Sequence, residues 1–175
     1  MTIFAGKMSV LLLAAGFFTL ISMAPDRANF SGEWKLNESK SELVGQFPLC
    51  IFGGDRMRSK TMKIVTEANF LTVDAVRSFD GALVTSQEKL IFDGIESETT
   101  YVGTPRERSA VRWSDDGQTM TVRSIRSFDP KGATADFKVT EVWKLINGGK
   151  SISIQVNSKS ISGENTMTLV YDKSS

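Results

Sequence analysis

The chain has 175 residues, with 21 Lys and Arg against 20 Asp and Glu, one cysteine and no histidine. This length fits one domain of ordinary size. Because histidine is the usual general base near neutral pH and the commonest metal ligand, its absence excludes Ser-His-Asp and Cys-His catalysis and ordinary zinc sites. Enzymes built on carboxylates, lysine or tyrosine remain open, but no catalytic constellation is recognisable. We therefore predict no enzymatic activity, no metal and no cofactor.

The first 24 residues have the order of an export signal. Lys7 is followed by an uncharged run with an apolar centre, and Ser22-Met23-Ala24 gives a small-x-small cleavage pattern. The apolar run is shorter than the ~20 residues that span a bilayer. We predict a cleaved signal peptide over residues 1–24 and a mature periplasmic or extracellular domain over residues 29–175, with an uncleaved anchor as the alternative. Loss of Lys7 takes the net charge from +1 to about zero, which predicts no nucleic-acid partner and no stable membrane insertion after cleavage.

The rest of the chain consists of short alternating segments separated by turn pairs such as Asp80-Gly81 and Asn147-Gly148. Asp-Gly and Asn-Gly favour tight hairpins, because both residues can take positive φ. Connections this short leave no room for parallel crossovers. The segments predict an all-β antiparallel up-and-down meander of about ten strands, over residues 30–37, 58–66, 70–79, 82–92, 95–102, 106–114, 118–128, 134–146, 150–161 and 166–172.

Residues 38–57 interrupt this rhythm between the first two strands. They predict a helical turn at residues 38–44, then an apolar stretch, and then the possible hinge Gly53-Gly54. This segment is a short helix or a lid over the end of the sheet. Its proposed ligand-facing residues are Leu49, Ile51 and Phe52.

Each strand has one apolar and one polar face. On the 134–146 segment, for example, Phe137, Val139 and Trp143 alternate with polar residues. So many half-apolar strands require two stacked sheets or one sheet closed on itself. Closure also removes exposed strand edges.

One phrase occurs twice, as LTVDAVRSFDG from Leu71 and as MTVRSIRSFDP from Met120. Each copy is predicted to be a hairpin strand that ends at an aromatic residue, Phe79 or Phe128. Strand-end Phe and Arg are common at the rim of a sheet. The phrase therefore indicates a repeated structural unit before it indicates a ligand signature.

The opening FSGEWKLNESKS, with Gly32-Glu33-Trp34, resembles the Gly-x-Trp start of the calycins, the lipocalins and fatty-acid-binding proteins. LVYDK near the C-terminus is similar to the last strand of the fatty-acid-binding branch. With its export signal, the chain also looks like bacterial exported lipocalin-like proteins. The resemblance implies a calycin-like barrel with Trp34 at its floor. Fatty-acid-binding proteins hold a carboxylate with Arg-x-Tyr on the last strand, and here Leu169 stands where that arginine would be, while Tyr171 is present.

Polar residues on apolar faces are the candidates for ligand contact, since burying them is costly unless they are paired. Glu141 and Arg126 lie on the inward faces of two strands predicted to be neighbours, so an interior pair is feasible. A structural salt bridge, or a bulge that turns one of them outward, is the alternative. The proposed ligand-binding set is Arg126, Glu141, Tyr171, Trp143, Phe137, Val139, Val122, Ile154 and Leu169.

These observations favour a monomeric, exported, lipocalin-like protein that binds a small hydrophobic or amphipathic molecule inside the barrel. The alternative is a non-enzymatic structural or interaction module of the cell envelope with a solid core. The discriminating feature is the interior, because a binding cavity needs roughly 300 Å³ or more.

Overall fold

The chain forms one antiparallel sheet of ten strands. The computed structural model describes residues 26–42, 60–79, 82–95, 97–99, 106–128, 135–160 and 163–174, although some side chains near strand ends are outside this description. The strands are β1 (Gly32–Leu36), β2 (Thr61–Thr66), β3 (Phe70–Phe79), β4 (Ala82–Ile91), β5 (Ser97–Thr99), β6 (Arg106–Trp113), β7 (Thr119–Phe128), β8 (Ala135–Ile146), β9 (Ser151–Ser160) and β10 (Gly163–Lys173).

The strand order is β4-β3-β2-β1-β10-β9-β8-β7-β6-β5. Every hydrogen-bonded pair is antiparallel, and the first strand pairs with the last, with Leu36 opposite Tyr171. The two ends of this order approach each other because β4 lies against β6. The result is a nearly closed barrel, which confirms the predicted all-β meander.

The predicted strand positions are largely correct, and part of the predicted helical turn at residues 38–44 lies outside the described residues. Residues 38–40 form a turn in which the Lys40 and Ser41 amides donate to the Asn37 and Glu38 carbonyl oxygens, at 3.3 and 3.4 Å. Directly after this turn Glu42 makes a β-bridge to Thr168 on β10, with backbone bonds in both directions at 2.8 and 3.1 Å. Residues 43–59, with the proposed lid residues Leu49, Ile51 and Phe52, lie outside the described residues.

One turn is also displaced from its expected position. Gly163 was predicted to lie in the break before the last strand. It pairs with Ser160 and begins β10, with φ +125°, a conformation available to glycine. Within the described residues the helical structure is a 3₁₀ turn at Asn147–Gly149 between β8 and β9.

The repeated phrase occupies equivalent places in the fold. It closes β3 and β7, which have 10 residues each, immediately before the hairpin that leads to the next strand. Phe79 pairs with Ala82, and Phe128 pairs with Ala135. The repetition therefore follows the repeated hairpin, as predicted; the side chains of both phenylalanines lie outside the described part.

The inward faces of the strands form one continuous core. Alternate residues on β3 and β9, such as Leu71, Val73, Ile152 and Ile154, are 0–2% exposed. Burial on one face and polarity on the other is what the period-two pattern predicts. The core is the barrel interior, and its residues form rows that cross from strand to strand.

Candidate functional site

One end of the barrel is sealed by aromatic side chains, and we call this end the floor. Phe30, which is fully buried, stacks on Trp113 with ring centroids 5.8 Å apart and meets Trp143 edge-on at 5.9 Å. Phe92 packs edge-on against Trp113 at 5.4 Å. The Trp34 indole donates a hydrogen bond to the Phe30 carbonyl oxygen over 2.9 Å. Trp34 therefore lies where the resemblance places it.

A strap of residues 26–30 holds this floor from outside. The Ala28 amide donates to the Gly117 carbonyl at 2.9 Å, and the Arg27 guanidinium lies 5.3 Å from the centre of the Phe92 ring. Gly117 has φ +69°, and a Cβ there would lie 2.9 Å from the Asp26 carbonyl oxygen. Glycine is therefore required at this turn, both for its conformation and for the close approach of the strap.

Above the floor, successive rows of inward side chains differ in size and polarity. One row close to the floor carries large apolar side chains: Met120 is opposite Trp143, which is opposite Ile154, which is opposite Leu169. All four are 0–2% exposed. The next row contains the Glu141 carboxylate between Val122 and Val156.

Glu141 is 1% exposed and accepts a 2.9 Å hydrogen bond at Oε2 from Nε1 of Trp143. A carboxyl group in an apolar interior is expensive unless its oxygens are hydrogen-bonded. The Trp143 indole supplies one such bond, because residues two apart on a strand share a face. The sequence prediction that Glu141 points inward is therefore consistent with the structure.

A third row consists of small side chains and was not recognised in the sequence. Ser109 is opposite Ser124, which is opposite Val139, which is opposite Ser158. The three serines are 3–7% exposed. The sequence does show that these serines lie on the same strand faces as Val111, Val122 and Val156. Serine is usually exposed in proteins, so this pattern alone does not predict buried serines.

Seven of the nine predicted ligand-binding residues have described side chains, and all seven lie on the inner face. They are Val122, Val139, Glu141, Trp143, Ile154, Leu169 and Tyr171, each 0–2% exposed. Arg126 and Phe137 are opposite each other in the β7–β8 register, with side chains outside the described part. Glu141 is opposite Val122, so it does not face Arg126 directly across the two strands.

The register also separates Arg126 from Tyr171. Tyr171 is paired with Ile152 and Leu36 near the floor. Arg126 lies beyond the serine row, close to the other end of β7. The backbone positions of Arg126 and Tyr171 therefore lie towards opposite ends of their strands.

Comparison with solved structures identifies this architecture. A crystal structure of zebrafish ileal bile acid-binding protein complexed with cholic acid matches with a TM-score of 0.51 and 19% sequence identity, covering 83% of this chain and 98% of that chain. The chain has a calycin-like barrel fold. Comparisons with protein families and with curated proteins found no match.

The described residues of the barrel contain no group of three His, Cys, Asp or Glu side chains placed to hold a metal ion. No helix among them has the length and apolar character needed to cross a membrane.

A polar latch on the outside of the barrel joins its first and last strands. Asp172 on β10 accepts hydrogen bonds from Asn37 at 2.6 Å, Ser151 at 2.7 Å and Lys40 at 3.1 Å. The Asn37 and Ser151 bonds, followed by that of Lys40, lower the pKa of Asp172 to about 2. One carboxylate thus ties β9, β10 and the turn after β1.

We expect Asp172→Asn to lower the free energy of unfolding by about 1 kcal/mol at neutral pH. One pKa unit corresponds to about 1.4 kcal/mol, and the Asp172 side chain is 36% exposed, so solvent screening reduces the full effect. Because the folded pKa is depressed, the contribution is present above the unfolded value of about 3.9 and disappears as the pH falls towards 2.

Urea unfolding of the wild type and the variant between pH 7 and pH 2 measures this difference. The matched control is Glu33→Gln, an exposed carboxylate on β1. A difference between wild type and Asp172→Asn that stays constant down to pH 2 would show that the latch does not depend on the carboxylate charge.

Proposed function

We propose that this protein is exported and binds a small amphipathic molecule inside its calycin-like barrel. The serine row carries the proposal. A barrel of eight strands can just be filled by its own side chains, and ten strands enclose a wider interior. Ser109, Ser124, Val139 and Ser158 are short side chains at a level where a solid core would need large ones.

The contrast with the floor supports this interpretation. Near the floor, the row of Met120, Trp143, Ile154 and Leu169 consists of large apolar side chains. Two levels higher, the side chains are hydroxymethyl and isopropyl groups. A ligand at this height would rest on the apolar row, with its polar part among the serines.

The polar groups predict an amphipathic ligand. Ligand pockets are mainly apolar with a few polar groups that fix orientation. The interior supplies the Glu141 carboxylate and three serine residues on two adjacent levels, and Arg126 follows on the next inward position of β7. The neighbouring solved structure contains cholic acid, which is itself amphipathic.

The export part of the proposal rests on the sequence of residues 1–24 and on the position of the strap. The strap begins at Asp26, two residues after the end of the proposed signal peptide at residue 24. N-terminal sequencing of protein secreted by an exporting host tests it, and a mature chain beginning near residue 25 is expected.

Native mass spectrometry of gently purified protein tests ligand binding. We expect a mass excess of a few hundred daltons, on the order of a lipid or pigment, that organic solvent removes. If no ligand is present and a fluorescent apolar dye fails to bind at high micromolar concentration, the envelope module with a solid core becomes the better interpretation.

Arg126 is the proposed contact for an anionic head. We expect Arg126→Ala to weaken the binding of an anionic amphiphile by about 1.5–3 kcal/mol, the range for a hydrogen bond to a charged group, and to change the binding of a neutral analogue of the same chain length very little. Lys63→Ala is the control, because Lys63 is an exposed cation on the outer face of β2. Calorimetric titration of both ligands measures the difference, and equal losses for the two would assign Arg126 a structural role.

A further inference from the structure

Basic and acidic residues are nearly equal in number, but they are unevenly distributed over the barrel surface. The outward faces of β6–β9 carry five exposed cations, which we call the cationic face. None of them makes an ion pair with another described residue. They are Arg112, Arg123, Lys138, Lys144 and Lys159.

The other side of the barrel shows no such excess. On the outer faces of β1–β3, Glu33 is opposite Lys63, and Lys63 is opposite Asp74. Cations there alternate with acids across the strands. The two sides therefore differ in how cations and acids are placed, and the net charge of +1 for the whole chain does not reveal this difference.

The acids nearest to the cationic face lie at its margins. Asp93 and Asp115 are in turns at one end, Asp116 interacts electrostatically with Lys144, and Glu164 on β10 is opposite Lys159. The centre of the face remains positive.

At this centre, two arginines share a pocket. Arg112 and Arg123 are diagonal neighbours on β6 and β7, and with Thr121, Ala110 and Gly94 they line a hollow of about 270 Å³. Guanidinium groups bind phosphate oxygens with paired N–H donors. A hydroxyl and two guanidinium groups around a hollow of this size suit a phosphate-type head group.

An exposed apolar side chain lies beside the same pocket. Ile95 is 68% exposed in the turn after β4, directly next to Gly94, which lines the hollow. Half-buried Ile125 and Val142 lie between the cations of the cationic face. The described outward positions of β6–β9 include no aromatic residue on which a nucleic-acid base could stack.

We infer that the cationic face docks the barrel on an anionic phospholipid bilayer. Arg112 and Arg123 hold a lipid phosphate, the three lysines contact neighbouring head groups, and Ile95 inserts at the interface. Each Lys or Arg close to an anionic bilayer contributes about 1 kcal/mol, or about fivefold in binding. The interior ligand plays no part in this contact, so the two proposals can fail separately.

Vesicle co-sedimentation of the full chain tests this inference. Vesicles of phosphatidylglycerol mixed with phosphatidylcholine are compared with pure phosphatidylcholine, which measures any binding through the N-terminal apolar segment. We expect wild type to bind the anionic vesicles more tightly at low salt and to lose the difference at high salt. Arg112→Gln with Arg123→Gln should weaken anionic binding about 25-fold, and Ile95→Ser about fivefold, without changing dye binding inside the barrel.

The matched control is Lys35→Gln with Lys63→Gln, which removes the same charge from the exposed outer faces of β1 and β2. We expect it to change anionic binding by less than about twofold. The inference is overturned if this control weakens binding as much as the arginine pair. It is also overturned if wild type does not distinguish the two vesicles, or if an oligonucleotide binds through the arginines more tightly than the vesicles do.

Discussion

Phe30→Ala is expected to lower the free energy of unfolding by about 3–5 kcal/mol, the usual cost of truncating a buried phenylalanine. Phe30 is fully buried and contacts both Trp113 and Trp143. Its backbone carbonyl also accepts the hydrogen bond of the Trp34 indole. Truncation would leave a cavity beside the two indole rings of Trp113 and Trp143 that the rigid strands cannot close.

Phe70→Ala is the control for this substitution. Phe70 is only partly buried at the start of β3, where it lies under the Lys89 ammonium at 3.9 Å. We expect a loss of about 1 kcal/mol there, since little buried area and one cation–π contact are removed. Equal losses at the two positions, measured by urea unfolding, would contradict a floor sealed by Phe30.

The strand pattern of this fold was predictable because each hairpin is encoded locally. The predicted bounds of β3 are the observed ones, and those of β7 differ by one residue. Both strands end at turn residues and have strict inward and outward alternation. Alternation also identified the inward positions of Val122, Val139 and Trp143 without any knowledge of the strand order.

Features that depend on contacts between distant segments were not predictable. The strap at residues 26–30 has no periodicity, and its role depends on Gly117, which is remote in sequence. The sequence predicts a helical turn at residues 38–44, and the pairing of Glu42 with Thr168, 126 residues away in the chain, was not visible in it. Cross-strand register decided that Glu141 is opposite Val122 and that Arg126 is opposite Phe137.

The cationic face also depends on segments that are distant in the sequence, so it was not predictable from composition. Net charge near zero predicted no attraction to anionic surfaces. The sequence places Arg112, Arg123 and Lys159 tens of residues apart, and only the order of β6–β9 brings them onto one face. Composition therefore sets the sum of the charges but not their arrangement.

Val139→Phe is expected to abolish ligand binding, with a loss of at least about tenfold in affinity. Val139 lies between Ser124 and Ser158 on the inner face, at the level of the serine row, where we propose the ligand space. A phenylalanine would occupy that space. In a barrel with a ligand cavity the stability should change by less than about 1 kcal/mol, whereas overpacking a solid core costs about 1–3 kcal/mol.

Thr140→Phe provides the matched control, because Thr140 is the next residue on β8 and points to the outer face. It adds the same aromatic group to the same strand without entering the interior. Binding and stability should both remain close to those of the wild type. A loss of binding in this control would mean that the dye binds on the outer surface.

Titration of wild type, Val139→Phe and Thr140→Phe with one environment-sensitive apolar dye tests ligand binding in the barrel interior most directly. The predicted result is saturable binding of about one dye per chain by wild type and Thr140→Phe, with no saturable binding by a folded Val139→Phe. Unchanged binding by Val139→Phe, or the absence of binding by wild type together with strong destabilisation of Val139→Phe, would contradict an interior ligand site.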